Sequence, residues 1–202
     1  VAAGKISTTT DYSRLAGLDV VLVCVPTPIT KNKEPDLRHI EAAIQSLAAH
    51  MKAGQLIVLQ STTFPGTTQE FVLPWLEESN FQVGRDLCLA FALERIDPGN
   101  IQFDTRSVPK VVGGITGRCG EIAESFFSAF VDRVFSVSSP RVAEMTKLLE
   151  NTFRSVNIAL VNEMAMLCQR MDIDIWEVID AASTKPFGFM PFYPGPGVGG
   201  HC

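Results

Sequence analysis

Asp19-Val20-Val21-Leu22-Val23-Cys24-Val25-Pro26-Thr27-Pro28 is an unbroken apolar run that ends on a Pro-Thr-Pro stop. An apolar run without alternation is the pattern of a parallel strand covered on both faces, and the prolines end it and open a loop at its carboxyl end. Downstream, Asp36 is placed to cap a helix in which Leu37, Ile40, Ala43, Ile44 and Leu47 share one face. A second buried strand follows at Leu56 to Gln60, then the loop Ser61-Thr62-Thr63-Phe64-Pro65-Gly66-Thr67 and a helical pattern over 68–78. Asp86 to Ala92 is a third apolar run, opening into residues 93–100. Lys110 to Gly113 reads as a short strand, 118–131 as a helix and Arg133 to Val137 as a last strand. Upstream, residues 1–18 hold a Thr8-Thr9-Thr10-Asp11 turn and a short helical pattern. Strands alternating with helices predict an α/β domain with a doubly wound parallel sheet. Its ligands gather at the strand carboxyl ends, the edge where loops 26–30, 61–67 and 93–100 are expected.

From Pro140 the period changes. Residues 141–171 form one long helical pattern, with Val142, Met145, Leu148, Leu149, Thr152, Val156, Ala159 and Leu160 on related faces, and a second helix is expected from about Asp174 to Ala182. Proline is at home at a helix start, which puts a domain boundary near 138–140. Residues 1–138 are then a Rossmann-like domain and 139–202 a helical one. The long helix is expected to be either a dimer element or a helix buried within the chain. Residues 185–202, Lys-Pro-Phe-Gly-Phe-Met-Pro-Phe-Tyr-Pro-Gly-Pro-Gly-Val-Gly-Gly-His-Cys, are too rich in Pro and Gly for helix or strand. Such a loop brings backbone amides close to a ligand and presents one side chain, here Cys202.

The chain has 202 residues and a net charge of −5 with no basic run, which argues against nucleic acid as a partner. No apolar run is long enough to cross a membrane and no leader-like stretch opens the chain, so a cytoplasmic protein is expected. None of the five cysteines sits in a CxxC pair or at metal-ligand spacing. Cys24 and Cys88 read as small core residues, Cys119 lies in a polar turn and Cys168 in a helical pattern. Cys202 alone has a glycine-rich setting in which a thiolate could meet a substrate.

Four other residues suit thiol chemistry. Lys147 and Asn151 are one turn apart on the long helix, Glu94 follows a buried strand, and Thr62 opens a loop. Each alone has a plain structural reading: a solvated stripe, an exposed loop acid, a helix cap. Together they could support attack of a cysteine thiolate on an aldehyde, oxidation to a thioester and release of an acid by water. An ammonium and an amide would stabilise the oxyanion, and a carboxylate would activate the water.

Six motifs in order resemble the NAD-dependent nucleotide-sugar 6-dehydrogenases. They are Val23-Cys24-Val25-Pro26-Thr27-Pro28, residues 61–67, Glu94-Arg95-Ile96-Asp97-Pro98-Gly99-Asn100, Pro109-Lys110-Val111-Val112-Gly113-Gly114, Glu144-Met145-Thr146-Lys147 with Asn151, and Gly195 through Cys202. Residues 184–192 resemble the UDP-N-acetylglucosamine 6-dehydrogenase branch. The resemblance implies oxidation of a UDP-sugar C6 alcohol to a uronic acid with NAD, for surface polysaccharide synthesis; the long helical pattern over 141–171 adds the expectation of a homodimer. It implies Cys202 as nucleophile, Lys147 and Asn151 as oxyanion stabilisers, Glu94 as acid/base and Thr62 as the hydroxyl that positions water. Pro26, Thr27, Thr62 and Cys202 would line the cofactor. Glu94, Arg95, Lys147, Asn151, Arg154 and Gly199 would meet the substrate, with Asn157 on the same helix. The family's opening strands with their GxGxxG turn, the acid for the ribose, and its later nucleotide-sugar domain have no counterpart here, so the chain reads as an interior segment. It also has Ala92-Leu93-Glu94 where the family usually has Ser-Pro-Glu. Two rivals are a hydroxyacid-dehydrogenase-like enzyme, which needs no terminal cysteine, and an inactive dimerisation or binding module. UDP-N-acetylmannosamine and UDP-glucose are the alternative substrates.

Overall fold

A computed structural model describes residues 4–96 and 103–197. Five strands form one sheet in the order β1 (Val20–Val23), β2 (Leu56–Leu59), β3 (Cys88–Ala92), β4 (Lys110–Gly114), β5 (Val134–Val137). Helices α1 (Arg38–Ala48), α2 (Leu73–Glu77) and α3 (Gly117–Ser128) belong with it, and α4 (Pro140–Arg170) and α5 (Ile175–Ser183) follow. The chain divides into two compact units, residues 1–147 and 148–202.

In the first unit β1, β2 and β3 run parallel, and so do β4 and β5, but β3 and β4 are antiparallel. The expectation of a wholly parallel sheet is corrected at this one junction. A parallel return needs a crossover, usually a helix, and the described residues between β3 and β4 contain none. The core matches the apolar runs: β2 and β3 are buried along their whole lengths, packed with Ile40, Ile44 and Leu47 of α1 and Phe127 of α3. Gly113 of β4 cannot carry a side chain, because a Cβ there would lie 2.2 Å from the Ser139 carbonyl oxygen.

Some local expectations are corrected. Among the described residues β1 is the outer strand of the sheet, and Leu22 and Cys24 just beyond it are exposed rather than buried. Cys119 does not lie in a polar turn but is buried in the first turn of α3, where Thr116 Oγ1 accepts its N–H at 3.2 Å. The helix expected over 68–78 is present, beginning as a π-helical turn over 67–72 that runs into α2 and is entered through Gly66 at φ 105°, a left-handed backbone that glycine adopts freely. The N-cap of α1 is Leu37, without a side-chain cap hydrogen bond, rather than Asp36; Asp36, one residue earlier, accepts from Arg38 N at 3.1 Å while Arg38 pairs with its carboxylate, which holds that group down at about 2.

In the second unit, Asp174 caps α5 through Trp176 N at 2.9 Å. The segment beyond α5 lies on the helices: Trp176 stacks on Tyr193, Phe153 meets Phe192 edge-on, and Asn162 takes Gly195 N at 2.9 Å. Among the described residues, no helix is long and apolar enough to cross a membrane.

Candidate active site

Because β1, β2 and β3 are parallel, the loops that leave them emerge at one edge of the sheet. The first two are stitched together. Thr27 Oγ1 donates to the Thr62 carbonyl at 2.6 Å, and Ser61 Oγ accepts from Val25 N at 3.0 Å and donates to Val25 O at 2.8 Å. Pro26 and the Thr62 side chain are exposed at this edge, and Thr27 is half-buried. Beside them the buried Thr63 Oγ1 has no hydrogen-bond partner among the described residues. A hydroxyl left unsatisfied there costs about 1–3 kcal/mol, which a bound polar group would recover.

The third loop carries Glu94. Its Oε1 accepts from Arg95 N at 2.8 Å and Ile96 N at 3.0 Å, and its Oε2 from Lys110 Nζ at 2.7 Å. Burial pushes the carboxyl up, but the Lys110 ammonium and the two backbone donors outweigh it and hold Glu94 below the ordinary glutamate value. Lys147 Nζ donates to the main-chain carbonyl oxygen of Glu94 at 2.5 Å, which ties the helix to the loop after β3. Arg95 turns its guanidinium back onto the Pro109 carbonyl at 2.8 Å.

Glu144 sits one turn before Lys147 on α4 and is fully buried. It accepts from Gly66 N at 2.6 Å, Thr68 N at 2.8 Å and Thr68 Oγ1 at 2.7 Å, capping the π-helical turn. Burial pushes this carboxyl up, against the pull of its three donors. The first turns of α4 therefore hold two loops at once, the one after β2 through Glu144 and the one after β3 through Lys147. Sequence reading assigned no role to Glu144 or Lys110. Their signals were a carboxylate three residues before the candidate lysine and a cation opening an otherwise apolar strand.

In the second unit, Asn151 Oδ1 accepts from Arg154 at 3.2 Å, and Asn157 donates to the Phe153 carbonyl at 2.7 Å. Cys202 and Gly199 lie outside the described residues.

Two family models divide the chain. The NAD binding domain of the UDP-glucose/GDP-mannose dehydrogenase family matches residues 1–131, and its central domain matches residues 141–202. The chain belongs to this family. NAD is the cofactor of its first domain. An NDP-N-acetyl-D-galactosaminuronic acid dehydrogenase of Ralstonia solanacearum is 40% identical over 192 residues, covering 91% of this chain and 45% of the relative. A UDP-N-acetyl-D-glucosamine 6-dehydrogenase of Pseudomonas aeruginosa is 39% identical over 202 residues, covering 99% and 47%. The solved structure of UDP-D-ManNAc dehydrogenase from Pyrococcus horikoshii superposes with a TM-score of 0.91 at 38% identity, covering all of this chain and 48% of that one. The chain spans about half the length of the curated relatives it matches.

Proposed function

We propose that the protein oxidises the C6 alcohol of a UDP-sugar to the uronic acid, with UDP-N-acetylglucosamine as substrate. The observation that carries this reading is the contact of Lys147 with the Glu94 loop, which brings an ammonium to the sheet edge beside an ionised carboxylate. Pro26, Thr27 and Thr62 would hold the nicotinamide end of NAD, and the unsatisfied Thr63 hydroxyl at the same edge fits a polar group there. NAD, when bound, accepts the hydride at each oxidation.

The chain's own residues divide the remaining work. Cys202 Sγ adds to the aldehyde carbon to form a thiohemiacetal, whose oxidation leaves a thioester. Lys147 and Asn151 stabilise the oxygen that carries developing negative charge. Glu94 takes a proton from water that Thr62 orients, and hydrolysis frees the acid and the thiol. Arg95, Arg154 and Gly199 contact the substrate. The exposed apolar residues Leu149, Phe153, Val156, Leu160, Met164 and Leu167, spaced by three and four along α4, support a homodimer through 141–171. We place the enzyme in the cytoplasm, supplying uronic acid for a surface polysaccharide.

Likeness to a named UDP-D-ManNAc dehydrogenase supports UDP-N-acetylmannosamine as the second substrate reading. NADH absorbance in the full-length protein tests both, with UDP-N-acetylglucosamine, UDP-N-acetylmannosamine, UDP-glucose and GDP-mannose supplied in turn. The expected result is roughly two NADH per molecule of one sugar, abolished by Cys202→Ala. No NADH from any sugar in a folded protein would sink the nucleotide-sugar reading and leave the binding module standing.

A further inference from the structure

We propose that Lys110 is a positioning residue for Glu94, fixing its carboxylate in one orientation at the carboxyl edge of β3; this rests on the functional reading above. The reversal of β4 makes the pairing. β3 and β4 are registered Ala90 to Gly114, Phe91 to Gly113 and Ala92 to Val112. Continued by two residues, that antiparallel register sets Glu94 opposite Lys110. Had β4 run parallel, its first residue would have come to the other edge of the sheet.

The setting selects for a cation. Lys110 is only 6% exposed, its Nζ meets Glu94 Oε2 at 2.7 Å, and it lies 5.3 Å from the centre of the Phe127 ring. A buried ammonium is tolerated only where it is paired, and an aromatic face adds to the attraction. Glu94 Oε1 is taken at the same time by the N–H groups of Arg95 and Ile96, so both carboxylate oxygens are directed. Among the described residues, the charged and titratable groups around Glu94 include Lys110 from β4, Lys147 from α4 on its carbonyl, Arg95 from its own loop and the Cys24 thiol beyond β1. Lys110 faces the carboxylate directly and holds it ionised.

The test uses full-length protein with Lys110→Met and Lys110→Arg. Lys110→Gln serves as a second neutral variant should Met prevent folding. The first readout needs no turnover: carbon-13 NMR titration of the glutamate carboxyls, with Glu94 assigned through Glu94→Gln. The Glu94 midpoint is expected to rise in the neutral variants and to stay near wild type in Lys110→Arg. An unmoved midpoint in a folded neutral variant overturns the proposal. The second readout is NADH formation against pH. The acidic limb should shift up with the midpoint, and kcat should fall roughly ten- to a hundred-fold with little change in KM. An unchanged kcat and limb would overturn the positioning role. If wild type makes no NADH from any sugar, the functional reading fails, and the titration alone decides whether Lys110 governs Glu94.

Discussion

In the first unit, β2 and β3 are buried along their whole lengths and the helices close over them. In the second, Cys168 and Ile179 are the only buried hydrophobic residues among those described, while Leu149, Val156 and Leu160 are more than half exposed. Both segments are rich in apolar residues, so composition does not explain the difference. It lies in where the covering surface comes from. The sheet draws its cover from helices adjacent in the chain, whereas among the described residues α5 and the segment after it cover α4 only in part and leave Leu149, Val156 and Leu160 largely exposed.

The largest expected effect contrasts two phenylalanines. Phe91 lies in β3 with almost no exposure, and Phe91→Ala should cost about 3–5 kcal/mol. Phe153 is exposed and touches Phe192 edge-on, so Phe153→Ala should cost about 1 kcal/mol. Urea unfolding of the two variants measures both. Equal losses would erase the distinction between the units.

Next comes Glu144, the polar counterpart of that core. Glu144→Leu strands the N–H groups of Gly66 and Thr68, and should cost about 2–3 kcal/mol. Its pH dependence has a definite sign. The folded carboxyl sits above the ordinary value of 4.5, so its contribution is complete below that value and is lost as pH rises through the folded one. Glu94, held below 4.5, works the other way: its contribution is present above that value and fades as pH falls. Glu144→Gln cannot titrate and should flatten the decline in stability above pH 4.5, as read from urea midpoints in buffers stepped by pH. A decline that stays as steep would remove Glu144 from the account.

These residues also mark how far the sequence could be read. The strands were legible because buried strands are apolar without interruption, and Leu56–Leu59 and Cys88–Ala92 are such runs. The direction of β4 was not, since Lys-Val-Val-Gly-Gly reads alike whichever way it pairs; the only hint was the lack of a helical pattern between β3 and β4. Cys24 looked like a core residue because it ends an apolar run, yet it is exposed in the structure, since an apolar run does not say how each of its residues is covered. In the candidate site, Thr27, Thr62, Glu94 and Lys147 are proposed from their motifs and their places in the chain. Contacts of Glu144 with Gly66 and of Lys110 with Glu94 join residues far apart in sequence, and they depend on a register that no local pattern encodes.

Smaller effects should ignore the division between units. Thr116 caps α3 in the first and Asp174 caps α5 in the second, each through one backbone N–H. Alanine at either should cost about 1 kcal/mol, because a cap acts within a single turn. Thermal unfolding of the two variants gives the comparison. A loss at Asp174 several times that at Thr116 would mean that α5 depends on its cap for tertiary order, and the two units would differ in more than their cover.

The smallest effect on folding is expected where the proposed association would be most disturbed. Leu149 and Val156 are exposed and seven residues apart, two turns along one side of α4. Glutamate at both removes little buried area within the chain, so its folding free energy should change by no more than about 0.5 kcal/mol. If a second copy covers this face, the same substitutions bury two carboxylates without partners in the interface, and burial of unpaired charge opposes association strongly. Sedimentation velocity should then find a dimer for wild type and a monomer for the double variant, with unchanged circular dichroism. A wild-type monomer at micromolar concentration would sink the dimer and leave the exposed face to some other partner. A dimer that survives both glutamates would move the interface off this side of α4.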